Sequence, residues 1–200
     1  MKRVCILSII AAASLTAASN NISWVASNGQ DTATCGARNQ PCATFQKAHD
    51  NTKAGGAVKA VDAADYGIVN ITKAITIDGA GTGATILVLP ADFLGLVVNA
   101  GASDSVTIRG LSILCGSGVI GINVSSGLVH LEDVLISGPA STGLVAAAPL
   151  TAERLTVTGA AIAGVSIPPG PISLRDSPER RPRSRCRSPI PRAECRSCRP

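Results

Sequence analysis

Aromatic side chains are almost missing from this chain. Phe, Trp and Tyr together make up 2% of 200 residues, with one Trp, one Tyr and two Phe. The four rings are dispersed along the chain, which leaves no row of aromatic platforms for a ligand to stack on. Charged residues reach only 16%, too few for a coiled coil or an acidic disordered chain. The 20 glycines follow no three-residue period, which excludes collagen. No apolar run is long enough for a membrane span; the single long one is N-terminal and short. Hydrophobic residues nevertheless supply 46%, enough for one sizeable core.

The net charge of +5 hides a division. From Pro171 to Pro200 nine Arg face Asp176, Glu179 and Glu194, a local balance of +6. Residues 1–170 carry nine basic and ten acidic side chains, a balance of −1. The basic character thus belongs to the end of the chain, and the body offers no basic face for a phosphate backbone. No specific nucleic-acid partner is expected.

The first nineteen residues have the pattern of an export signal: Lys2 and Arg3, an apolar stretch from Val4 to Ala13, then small residues through Ser19. The expected destination is secretion, the periplasm or the cell surface, with no membrane span left once the signal is removed. Export sets an oxidising context. Cys35 and Cys42, with six residues between them, are a disulfide candidate; two free thiols or half of a metal site are the alternatives. No second Cys/His pair lies nearby at ligand spacing, so no metal is expected.

The body repeats. Three rows align: Val106-Thr107-Ile108-Arg109-Gly110-Leu111-Ser112-Ile113, Val129 to Ile136, and Leu150 to Val157. Each is followed by a short apolar strand that opens on glycine, at Gly121, Gly143 and Gly164. The row starts lie 23 and 21 residues apart, and a period of roughly 20–25 residues made of short strands is the mark of a solenoid. Within a row, Val106 and Ile108 share a face, but the apolar phase then slips by one residue before Leu111 and Ile113. Arg109-Gly110, Glu132-Asp133 and Glu153-Arg154 absorb the slip, so each reads as a two-residue bend between two strands. Val58 to Asp62, Ile75 to Gly79, Ile86 to Leu89 and Leu96 to Asn99 read as further strands, and Ala43 to Thr52 as a short helix capping the stack.

The stretch Gly29-Gln30-Asp31, Pro41-Cys42-Ala43-Thr44-Phe45, Gly55-Gly56, Tyr66-Gly67 and Ile71-Thr72-Lys73-Ala74-Ile75-Thr76-Ile77-Asp78-Gly79 resembles the opening of secreted bacterial right-handed parallel β-helix proteins of the pectin-lyase-like kind, over about Trp24 to Ile167. The resemblance implies an all-β, right-handed parallel β-helix with a short N-terminal cap helix. The expected organisation is signal peptide 1–19, cap region 20–57, coils 58–167 and a disordered Arg/Pro/Ser-rich tail 168–200. The tail breaks the repeat where another coil is due and reads as an out-of-frame translation. The same fold carries lyases, hydrolases and proteins without catalysis, so it does not fix a function.

Enzymes of this fold work through clustered acids, with calcium or a basic residue in the lyases. The only such cluster here is the pair of registers at the bend, holding Glu132, Asp133, Glu153, Arg109 and Arg154. These are the catalytic candidates, and a solvated salt-bridge ladder is the preferred reading. His49 and His130 read as surface residues, and Trp24, Phe45, Tyr66 and Phe93 as packing residues near the cap. Gly79-Ala80-Gly81-Thr82-Gly83 lacks the lysine and helix of a phosphate loop, and no cofactor is expected. The functional expectation is an exported β-helix protein without an identifiable catalytic site, carbohydrate-facing or structural, with polysaccharide as the partner. The alternative is a lyase or glycoside hydrolase acting on acidic polysaccharide.

Overall fold

Short runs of β-branched and aliphatic residues, punctuated by glycine, favour strands that pair between coils. The computed structural model describes residues 20–138, 140–166 and 172–175; the expected signal peptide and the Arg-rich stretch after Arg175 lie outside them. In chain order the elements are β1 (Asn20–Val25), α1 (Phe45–Asn51), β2 (Thr52–Ala60), β3 (Val69–Ile71), β4 (Ile75–Asp78), β5 (Thr85–Val88), β6 (Leu94–Asn99), β7 (Ser105–Arg109), β8 (Ser112–Cys115), β9 (Ile120–Ser126), β10 (Leu128–Glu132), β11 (Leu135–Ser137), β12 (Thr142–Ala146), β13 (Leu150–Glu153), β14 (Thr156–Thr158), β15 (Ala163–Ser166) and β16 (Ile172–Arg175). They form a parallel β-solenoid of about five turns.

Successive coils stack strand on strand. A seven-stranded sheet runs β1-β2-β4-β7-β10-β13-β16, a five-stranded one β3-β6-β9-β12-β15 and a four-stranded one β5-β8-β11-β14. Like residues therefore meet in columns that point inward. Val58, Ile77, Ile108, Leu131 and Ala152 form one column of the seven-stranded sheet. Ile86, Ile113, Ile136 and Val157 form one in the four-stranded sheet, and Leu96, Ile122 and Leu144 one in the five-stranded sheet. All are buried, and each large aliphatic side chain withdrawn from water contributes about 1.5–3 kcal/mol.

The phase slip of the sequence is a left-handed residue. Gly110, Asp133 and Arg154 have φ of 63°, 52° and 53°, which turns the chain and sends Leu111, Val134 and Leu155 into the core. At Gly110 a side chain is also excluded by space, since an added Cβ would lie 2.5 Å from the Ala80 nitrogen. The opposite corner carries a glycine column, Gly95, Gly121, Gly143 and Gly164, fixed by strand register. There a Cβ at Gly121 would lie 2.7 Å from both the Ile136 methyl and the Gly143 carbonyl. The backbone packs directly on side chains arriving from the next sheet.

The N-terminal unit is held by single contacts instead. Cys35 and Cys42 form a disulfide with Cα atoms 5.0 Å apart. Asp31 accepts from the backbone amides of Ala43 (2.8 Å) and Thr44 (3.1 Å) and from the Thr44 hydroxyl (2.7 Å); Thr44 in turn caps α1 by accepting from the Lys47 amide. Helix α1 turns Phe45, Ala48 and His49 inward, and the Phe45 and Tyr66 rings meet at 5.0 Å. The Tyr66 hydroxyl and both the amide and hydroxyl of Ser27 donate to Asp62, tying the first coil to β1.

Three expectations are corrected. His49 is not a surface residue: it is 3% exposed because α1 lies against β1, β2 and β3. Its Nε2 accepts the Thr72 amide at 3.3 Å and its Nδ1 sits 3.0 Å from Asp50. Phe93 is not a packing residue; it stands 69% exposed at φ 58° in a turn of the second coil. The stack also runs past Ile167, where β16 continues the ladder of β13 with Leu150 opposite Ile172 and Glu153 opposite Arg175.

Candidate functional site

Side chains alternate along a strand, so each strand of the seven-stranded sheet turns every second residue outward. Register then builds two outer columns. The first is Thr76, Thr107, His130, Thr151 and Ser173. The second is Trp24, Lys59, Asp78, Arg109, Glu132, Glu153 and Arg175. The left-handed bend adds Asp133 and Arg154 beside it. Rungs repeat about every 4.8 Å.

All five acid and base candidates of the sequence lie on this face, but the structure divides them. Arg109 donates to Asp78 at 2.7 Å, with Lys59 on the same carboxylate at 3.9 Å. Arg154 grips Glu132 at 2.8 Å and Asp133 through Nε, and reaches Glu153 at 3.9 Å. Burial alone would raise the Asp78 carboxyl. The Arg109 hydrogen bond, the Ala80 amide and the charges of Arg109 and Lys59 outweigh it, so Asp78 titrates below the ordinary carboxylate range. The hydrogen bond from Arg154 likewise holds Asp133 low. A glycosidase needs one carboxyl pushed the other way to serve as the acid. At these two positions the arrangement favours fixed ion pairs over proton transfer.

Lys59, Asp78 and Trp24 belong to the column and are absent from the sequence-level cluster. Ile75-Thr76-Ile77-Asp78-Gly79 matches Val106-Thr107-Ile108-Arg109-Gly110 position for position, a signal hidden because the second coil is longer and separates Asp78 from Arg109 by 31 residues. Trp24 is flanked by Arg38, 4.8 Å from the ring centre, and by Lys59 at 5.9 Å.

Two clefts stand out among the described residues. One, of about 260 Å³, lies where β7, β10 and β13 begin and includes His130 and Thr151 from the first outer column; the His130 Nδ1 and the Thr151 hydroxyl are 2.8 Å apart. The other, of about 210 Å³, is in the disulfide loop between Asn28 and Pro41. Asp31, Cys35 and Cys42 bring their ligand atoms within 4.8 Å, but both sulfurs are tied in the disulfide and offer no thiolate, while Asp31 already clamps the start of α1. Among the described residues no helix is long and apolar enough to cross a membrane. No family model, no curated protein and no solved structure matches this chain.

Proposed function

We propose that this is an exported surface protein which presents the outer face of its seven-stranded sheet to a carbohydrate polymer without transforming it. The observation that carries the reading is the mutual pairing of the charges on that face. Asp78 is committed to Arg109, and Glu132 and Asp133 to Arg154, so the charges act as a rigid ladder rather than as free acids and bases. A polymer lying along the solenoid axis meets a hydroxyl or imidazole and a polar rung about every 4.8 Å, with Trp24 at one end of the row. The basic, then apolar N-terminus and the Cys35–Cys42 disulfide support export. Parallel coils behind a short helix, together with the opening motif, support a right-handed winding of the pectin-lyase-like kind.

Affinity electrophoresis of the full chain through gels containing soluble polysaccharides tests this, with the same mixtures assayed for new reducing ends and unsaturated products. The expected result is retardation by at least one polymer with no new ends. Release of product would overturn the non-catalytic reading, and mobility unchanged across the whole panel would overturn the carbohydrate one.

A further inference from the structure

We propose that the cleft at the starts of β7, β10 and β13 is a subsite for one uncharged sugar unit, oriented by the His130–Thr151 pair; this rests on the carbohydrate reading and narrows its ligand class. The cleft joins two kinds of surface. Leu128, Pro149 and Leu150 line one part, and Ser105, His130 and Thr151 the other. Leu128 is 46% exposed, although the inward position next to it, Val129, already fills the core. Leu128 thus gives the cleft an exposed apolar wall. A pyranose ring offers the matching halves, C–H bonds on its face and hydroxyls around its edge.

The polar half is set for hydroxyls rather than for charge. The Thr151 hydroxyl lies 2.8 Å from His130 Nδ1 and 3.4 Å from the Val129 carbonyl it can donate to. In either tautomer Nε2 of the ring is left to donate to or accept from a sugar hydroxyl, with a lone pair of the Thr151 oxygen beside it. None of the lining side chains is a carboxylate, Lys or Arg. A uronate carboxylate would need a cation there, and the nearby Arg109 and Arg154 are held by Asp78, Glu132 and Asp133. An uncharged sugar therefore fits this place better than a uronate.

Isothermal titration and amide chemical-shift mapping of the full chain decide the matter, using hexasaccharides of β-1,4-glucan, β-1,4-xylan and chitin, and oligogalacturonate of equal length as the charged probe. One neutral probe is expected to bind at least about tenfold more tightly than oligogalacturonate, with shifts centred on residues 128–130 and 149–151. Leu128→Asp and His130→Ala are each expected to weaken it by about tenfold or more, while Asn39→Ala in the other cleft leaves it unchanged. Ser105→Glu, a charge added at an exposed position on the rim, keeps the test decisive where either variant melts early. Neutral probes bound equally by wild type and these variants, shifts confined to residues 28–41, or oligogalacturonate bound as tightly would overturn the subsite and leave the carbohydrate reading standing. Binding of no probe here and of no polymer in the gels would remove both.

Discussion

The N-terminal unit, residues 20–72, and the coils that follow it reach the same parallel geometry by opposite means. In the unit each contact is made once: one disulfide, one Asp31 clamp, one Asp62 knot, one buried imidazole. In the coils the same position is filled again and again by an aliphatic side chain, a left-handed bend or a glycine. Repetition spreads the stabilisation over many equivalent contacts, whereas the unit concentrates it in a few polar and covalent ones. A solenoid uses both: among the described residues β1 has a strand partner on one side alone, and the covalent and polar contacts gather at that end.

The largest expected effect comes from attacking the repeat itself. Leu131 is fully buried between Ile108 and Ala152, and Leu131→Ala is expected to lower the unfolding free energy by about 2–5 kcal/mol, read by urea titration. A loss below about 1 kcal/mol would mean that the coils do not depend on their inward columns. Next comes the covalent anchor. Replacing Cys35 and Cys42 by Ser should lower stability by about 2–3 kcal/mol. Hydrogen exchange should accelerate across residues 20–72 while β10 to β13 keep their protection; equal acceleration in both would merge the two regions into one cooperative block.

The smallest effect sharpens the contrast by pH. Burial depresses the His49 pKa below its ordinary 6.5, with the Asp50 hydrogen bond opposing and Lys73 reinforcing the shift. The folded state therefore resists the proton more than the unfolded chain does. This stabilisation is complete above pH 6.5 and is lost as the pH falls from there through the folded-state value. Thermal midpoints of the wild type should decline over that window and those of His49→Gln should not. Both proteins should decline again below about pH 4, where Asp78 and Asp133 take up protons. A wild type as flat as the variant above pH 5 would show that His49 carries no such load.

The repeat was open to reading because its physics is local. A strand that alternates, slips by one residue and alternates again has few conformations that bury both halves, and Gly110, Asp133 and Arg154 sit at the slip. Coils of nearly constant length then place Arg109, Glu132 and Glu153 in one column. Asp78 and Lys59 escaped because the turns of the second coil are longer, so its spacing is not that of the rest. His49 escaped for another reason. Which way a two-turn helix faces is decided by what it packs on, here β1, β2 and β3, and a lone polar residue within it gives no sign of that. Phe93 shows the reverse failure, since an aromatic in an aromatic-poor chain suggests packing and a left-handed turn presents it instead. The row Ile172-Ser173-Leu174-Arg175 is hidden behind the proline run, yet it holds the coil register as far as Arg175.

Strand pairing between consecutive coils also fixes an order of construction. Every interior strand of the three sheets is hydrogen-bonded to a strand of the coil before it and a strand of the coil after it. A chain emerging from its N-terminus can thus finish one course before the next is delivered, and each completed course is the template on which the following one settles. Among the described residues no late strand pairs with an early coil. Growth, once the knotted first course is set, has the character of masonry rather than of collapse.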